Sequence, residues 1–146
     1  MENEKMVFDK FQLQKIYTDF LSRTGYEHEL KDYGDIIFKY KEHWFYIEVY
    51  EEDLEFGRLC FMIETQFNDT EKDFVYKVIS KINGALKLTK ACFRDREING
   101  KQFVVLSIGY LFVNKNHFEE KFKRMIDEIL NASQIFIESM SDLKKS

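Results

Sequence analysis

Proline is missing altogether from the 146 residues. At an average usage near 5%, about seven would be expected. No Pro-rich linker therefore divides the chain, and one compact domain over residues 1–146 is expected, long enough to bury a core without metals or disulfides. Cysteine is nearly as scarce. Cys60 and Cys92 lie far apart, each alone in an apolar run, a setting that favours two reduced, packed thiols over a disulfide. The six glycines are scattered and form no Gly-x-Gly-x-x-Gly or phosphate loop. Long apolar runs are missing too: Val104 to Val113 is interrupted by Ser107 and Gly109 and is too short to span a bilayer. The opening "MENEKMVFDK" is charged and has no signal core, so no membrane association and a cytoplasmic location are expected. With a net charge of −4 and lysines mixed among acids, the dense basic stripe that phosphate binding needs is lacking, and nucleic acid is not an expected partner.

Motifs for chemistry are equally sparse. His28, His43 and His117 stand on different elements with no second ligand at metal-like spacing, and His117 with Glu120, at i,i+3 on a helix start, is the weakest kind of pair. A metal site needs three or four converging ligands. The cysteines form no Cys-x-x-Cys and neither adjoins a candidate base. The carboxylates Glu48, Glu51, Glu52, Asp53 and Glu55 are largely consecutive, with Gly57 after them, whereas a calcium loop needs alternate ligands and a glycine at its sharp turn. A solvated loop that also discourages stray strand pairing explains them better. No catalytic, cofactor-binding or metal residue is assigned, and a non-enzymatic protein without cofactors is expected.

What the sequence does contain is aromatic residues (16%) and clear periodicity. Leu13, Ile16, Tyr17 and Phe20 recur at helical spacing, with Gly25 as a C-terminal cap, predicting a helix over about residues 4–24. A short extended piece, Tyr26 to Leu30, follows. From Ile36 the period becomes two. With Glu42 and His43 as a two-residue turn, Tyr40 faces Phe45, Phe38 faces Ile47 and Ile36 faces Val49, all on one side. Another strand spans Arg58 to Glu64. "NDTEKDFVYKVISKING" predicts a second helix, with Thr70 and Asp73 as an approximate capping box and Asn83-Gly84 at its end. Strands over 86–94 and 101–112 flank Asn99-Gly100, a strong hairpin turn, which pairs Phe93 with Leu106 and Ala91 with Ile108. A last helix starts near Asn116 with the stripe Phe118, Phe122, Met125, Ile126, Ile129, Ser133, Phe136, Ile137 and Met140. The fold class is α+β, in the order α-β-β-β-α-β-β-α, with an antiparallel five-stranded sheet and helices packed mainly on one face.

That order, together with Gly25-Tyr26, Gly34 before "DIIFKY", "WFYIEV", the acidic "EEDLEFGRL", and "KINGALKLTKACF", resembles the YbjN-like family and, more remotely, the type III secretion chaperone-like fold. These stretches cover nearly the whole chain, and none carries a catalytic signature. Leu54 stands where the family's acidic turn often continues with proline. The resemblance implies a protein-binding or chaperone-like module, often dimeric, with no enzymatic residues.

Alternation then defines a second sheet face. With Phe38, Tyr40, Phe45, Ile47, Leu59 and Phe61 turned to the helices, the opposite face shows Ile37, Lys39, Lys41, Trp44, Tyr46, Glu48, Tyr50, Cys60 and Met62. Trp, Tyr and Met are enriched at protein interfaces. A plain solvated face with lysine stems over the rings is the competing reading. The expected partner-binding residues are Ile37, Trp44, Tyr46, Tyr50 and Met62. The expected partner is a protein or a client segment, with a homodimer anticipated, in a chaperone-like or regulatory adaptor role. The rival reading is a small-ligand binder or enzyme with a pocket between sheet and helices.

Overall fold

The computed structural model describes residues 9–65, 67–98 and 101–145. Helix α1 (Lys10–Thr24) begins at Asp9, whose carboxylate accepts the Gln12 backbone N–H at 2.9 Å while the Gln12 side chain accepts the Asp9 N–H. The expected residues 4–8 of this helix lie outside the described residues. It ends at Gly25, in the left-handed region at φ 82°, as its sequence position predicts.

The sheet has six described strands, one more than expected. The extended piece after Gly25 forms β1 (His28–Leu30), a three-residue edge strand too short to show a period of two. It is followed by β2 (Ile36–Tyr40), β3 (His43–Val49), β4 (Phe56–Thr65), β5 (Lys90–Ile98) and β6 (Lys101–Leu111). All neighbours run antiparallel in the order β1-β2-β3-β4-β6-β5.

Both hairpin registers differ from the expected ones by two residues. The β2–β3 turn is Lys41-Glu42, with Lys41 at φ 53°, so Tyr40 pairs with His43, Phe38 with Phe45 and Ile36 with Ile47. In β5–β6, Ile98 pairs with Lys101 as expected. An irregularity between Arg94 and Ile98 then takes up two extra residues, so Phe93 meets Val104 and Ala91 meets Leu106. The Asn99-Gly100 turn itself lies outside the described residues. An even slip leaves every side chain on its expected face, because side chains alternate with a period of two.

The caps of the other helices also move. Helix α2 (Asp69–Ala85) is capped by Asn68 with Glu71, not by Thr70 with Asp73. It ends at Ala85, one residue beyond the expected Asn83-Gly84. Asn83 pins β5, accepting the Ala91 N–H at 2.7 Å and donating to the Ala91 carbonyl at 3.0 Å. Helix α3 (Lys115–Lys145) starts where Asn114 accepts the His117 N–H at 2.8 Å. Its expected stripe is buried apart from Ile137, which is exposed.

The three helices pack on one sheet face, where Phe38, Tyr40, Phe45, Ile47 and Leu59 are buried and Phe61 is partly so. Phe38 stacks on Phe45 at 5.5 Å and meets Phe122 of α3 at the same distance, and Phe122 in turn packs against Phe20 of α1. Burying each such ring contributes about 1.5–3 kcal/mol. One point of this core is set by a missing side chain. Tyr110 lies across Gly57 in the β4–β6 ladder and reaches the Tyr17 hydroxyl of α1 at 2.8 Å. Burial pushes the Tyr17 phenol up to about 12 and that of Tyr110 well above its ordinary value, so both stay neutral and share the bond. A Cβ on Gly57 would stand 2.6 Å from the Tyr110 ring, which is already fixed by Tyr17. Gly57→Ala is therefore expected to cost about 1–3 kcal/mol of stability. Urea unfolding should show a lowered midpoint with an unchanged slope.

Candidate functional site

The sheet face turned away from the helices carries the expected partner-binding residues, and the register shows how they group. Ile37 lies directly opposite Tyr46, which in turn lies opposite Cys60 on β4. Lys39 pairs with Trp44, and one step beyond the Phe45–Phe61 pair Trp44 faces Met62. Ile37, Trp44, Tyr46 and Met62 thus occupy two adjacent rows. Tyr50 does not join them. A row containing Glu48 and Arg58 intervenes, and the Tyr50 ring instead meets Phe56 at 5.4 Å under the Arg58 guanidinium. The Tyr50 hydroxyl donates to Glu48, which also lies 3.5 Å from Arg58. Burial, followed by this bond to Glu48, raises the Tyr50 phenol above its ordinary value.

Trp44 keeps 46% of its surface exposed, whereas Ile37, Tyr46, Tyr50 and Met62 are half-buried. The Lys39 ammonium sits 5.8 Å from the centre of the Trp44 ring, a cation–π contact on an open surface. Beneath this layer Cys60 is almost fully buried, as is Val105 of β6, and neither belongs to the core cluster on the helix side. Tyr46 is the direct cross-strand neighbour of Cys60. Burial, reinforced by nearby Glu48, pushes the Cys60 thiol up to about 12. This face therefore has a small apolar floor of its own. Alternation on β6, with Val104, Leu106 and Ile108 turned inward, was the sequence signal that Val105 belongs to it.

The expectation of two packed thiols holds for Cys60 only; Cys92 is exposed, and both are free. The Cys92 strand lies at the sheet edge, on the outer side of the β5–β6 hairpin. Of the acidic group, Glu51, Glu52, Asp53 and Glu55 are solvated as expected, with Glu51 pairing Lys10 at 3.2 Å, whereas Glu48 lies half-buried on β3. Asp35 accepts the Val49 N–H at 3.2 Å, and partial burial raises its carboxyl despite that bond. The histidines stand on β1, β3 and α3. Among the described residues no group of three or more His, Cys, Asp or Glu is arranged to hold a metal ion. None of the described helices is long and apolar enough to cross a membrane. A cavity of about 250 Å3 opens where α3 meets the end of the sheet, with Leu88, Ile108, Phe118 and Met125 in its wall.

No family model matches the sequence, and no curated protein matches it. Solved structures do. YbjN from E. coli, described as a candidate transcription regulator, superposes with a TM-score of 0.66 at 13% identity, over 87% of this chain and 90% of that one. The chain has a YbjN-like fold. An uncharacterized protein from Methanothermobacter thermautotrophicus shares it, with a TM-score of 0.57 at 12% identity over 88% and 99% of the two chains. At these identities the likeness concerns architecture. It accounts for the YbjN part of the sequence resemblance, and neither structure bears on the secretion-chaperone part.

The contrast between the cysteines is directly measurable. A thiol reagent at neutral pH should label Cys92 rapidly in the native protein, and Cys60 only after denaturant is added. Counting thiols before and after unfolding, with Cys92→Ser as the control, checks this.

Proposed function

We propose that this chain is a non-enzymatic protein-binding module whose outer sheet face forms its contact surface, with a second copy of the chain as the first occupant. The observation that carries this reading is Trp44. It is half exposed on a face that none of the described helices covers, among Ile37, Tyr46 and Met62, while its strand satisfies the core through Phe45 and Ile47. Core packing does not require the ring, and large amphipathic rings at the centre of a patch are the usual anchors of interfaces. At about 25 cal/mol per Å2, covering Trp44 and the open part of Tyr46 would contribute a few kcal/mol to association. The rim is polar, with Lys39, Glu48 and Arg58 available to set orientation.

A module of this kind would act as an adaptor or chaperone-like partner in the cytoplasm. If the regulatory role ascribed to the E. coli YbjN structure has a counterpart here, it would run through protein contact, since the net charge of −4 does not suit a nucleic-acid surface.

The double substitution Trp44→Ala with Tyr46→Ala is expected to weaken self-association by about tenfold or more, which corresponds to about 1.4 kcal/mol or more. The melting temperature should change far less than the association. Sedimentation analysis and thermal melts on the same samples decide it. Unfolding of the variant would place Trp44 in the core. Unchanged assembly with an unchanged melt would make the face an ordinary solvated one.

A further inference from the structure

A second surface, separate from the outer face, lies at the edge of β6. Strand β5 begins at Lys90, opposite Ser107, so β6 runs on through Leu111 with no neighbouring strand on that side among the described residues. The direction of the exposed backbone groups follows from the ladder. The Phe112 N–H bonds the Glu55 carbonyl of the β4 side at 2.6 Å. Alternation along the strand therefore aims the backbone groups of Gly109 and Leu111 the other way, past the end of β5. The same parity holds on β5, where Ala91 turns its N–H and C=O outward and Asn83 caps both. Among the described residues, Gly109 and Leu111 have no such cap, and no backbone hydrogen bond outside the strand ladders engages either of them. Edges of this kind are usually blunted by charge, proline or a covering segment. Here Gly109 is exposed and Leu111 keeps 68% of its surface open.

The open edge runs along one wall of the cavity of about 250 Å3. Its floor is apolar, from Leu88, Phe118 and Met125. Its helical rim carries two cations, Lys121 and Arg124, three residues apart on α3 beside the cavity, with His117 one turn before them. Neither Lys121 nor Arg124 is held in an ion pair among the described residues. A cationic pair of this kind on a chain of net charge −4 selects for carboxylates.

We infer that this groove takes an extended acidic peptide, added antiparallel to β6 in the place that β5 vacates. Its backbone would pair with Gly109 and Leu111. A groove-facing apolar side chain would sit on Phe118 and Met125, flanked two residues either way by carboxylates that reach Lys121 and Arg124. Main-chain bonds supply the affinity in this mode of recognition, and the alternate side chains supply the selectivity. The inference does not depend on the role proposed for Trp44, which lies on the other face.

The probe is the acetylated, amidated pentapeptide Glu-Thr-Leu-Thr-Glu, titrated into the 15N-labelled full chain. Saturable shifts are expected at the Gly109 and Leu111 amides. They should be retained in the Trp44→Ala, Tyr46→Ala variant. A peptide N-methylated at both Thr, the residues opposite Gly109 and Leu111, should lose binding. Lys-Thr-Leu-Thr-Lys should bind about tenfold more weakly, and Lys121→Glu with Arg124→Glu, two exposed positions, should reverse that preference. The inference is overturned if the two amides do not shift at about 1 mM peptide. It is equally overturned if the N-methylated or the lysine peptide binds as well as the parent, or if the shifts fall on Trp44 and its neighbours.

Discussion

Phe38, Phe45, Ile47 and Leu59 belong to the buried cluster that joins one face of the sheet to the helices, and everything else in this protein depends on that one-sidedness. A strand that buries alternate residues has its other residues left over. In β3 those leftovers are Trp44, Tyr46 and Glu48; in β4 they are Arg58, Cys60 and Met62. The helices are fully committed on the inner side, where Phe20, Phe118 and Phe122 close the core against Phe38 and Tyr26. Among the described residues, cover for the outer face comes only from its own side chains. Cys60 and Val105 show how far that cover goes: both are buried without any described helix above them. Trp44 shows where it stops.

Face assignment was legible in the sequence; register was not. Period-two alternation separates Phe45 and Ile47 from Trp44 and Tyr46 whatever the turn, because each hairpin slipped by an even number of residues. The slip itself depends on which residue accepts a positive φ. Lys41 does so in the β2–β3 turn, and nothing in "KYKEHW" announces it, since lysine has no special tolerance for that region. Helix starts misled for a related reason. "NDT" offers three side chains able to cap, and Asn68 wins over Thr70 because Glu71 reaches back to its N–H. Asn83-Gly84 has the form of a helix stop, and α2 does end one residue beyond it at Ala85, while Asn83 also bonds β5, a role its sequence does not announce.

The β6 groove was hidden by the same slip. In the expected register Ala91 lies opposite Ile108, and a strand starting at residue 86 would have covered Gly109 and Leu111 completely. The irregularity between Arg94 and Ile98 absorbs two residues, and the late start of β5 at Lys90 removes the remainder, which leaves the end of β6 open. The exposure of Cys92 was illegible for a different reason. An apolar run reads the same whether its strand lies mid-sheet or at an edge, and β5 lies at the edge.

Trp44 is the only tryptophan in the chain, so its fluorescence reports on the outer face alone. The most direct test is quenching by acrylamide, a neutral probe that Lys39 does not attract, measured from about nanomolar to about millimolar protein. Coverage by a second copy predicts ready quenching when dilute, then a blue-shifted emission and protection from acrylamide as concentration rises, with both changes following the sedimentation-derived association. A Trp44 that is quenched equally across the whole range, while the protein associates by another surface, would contradict it.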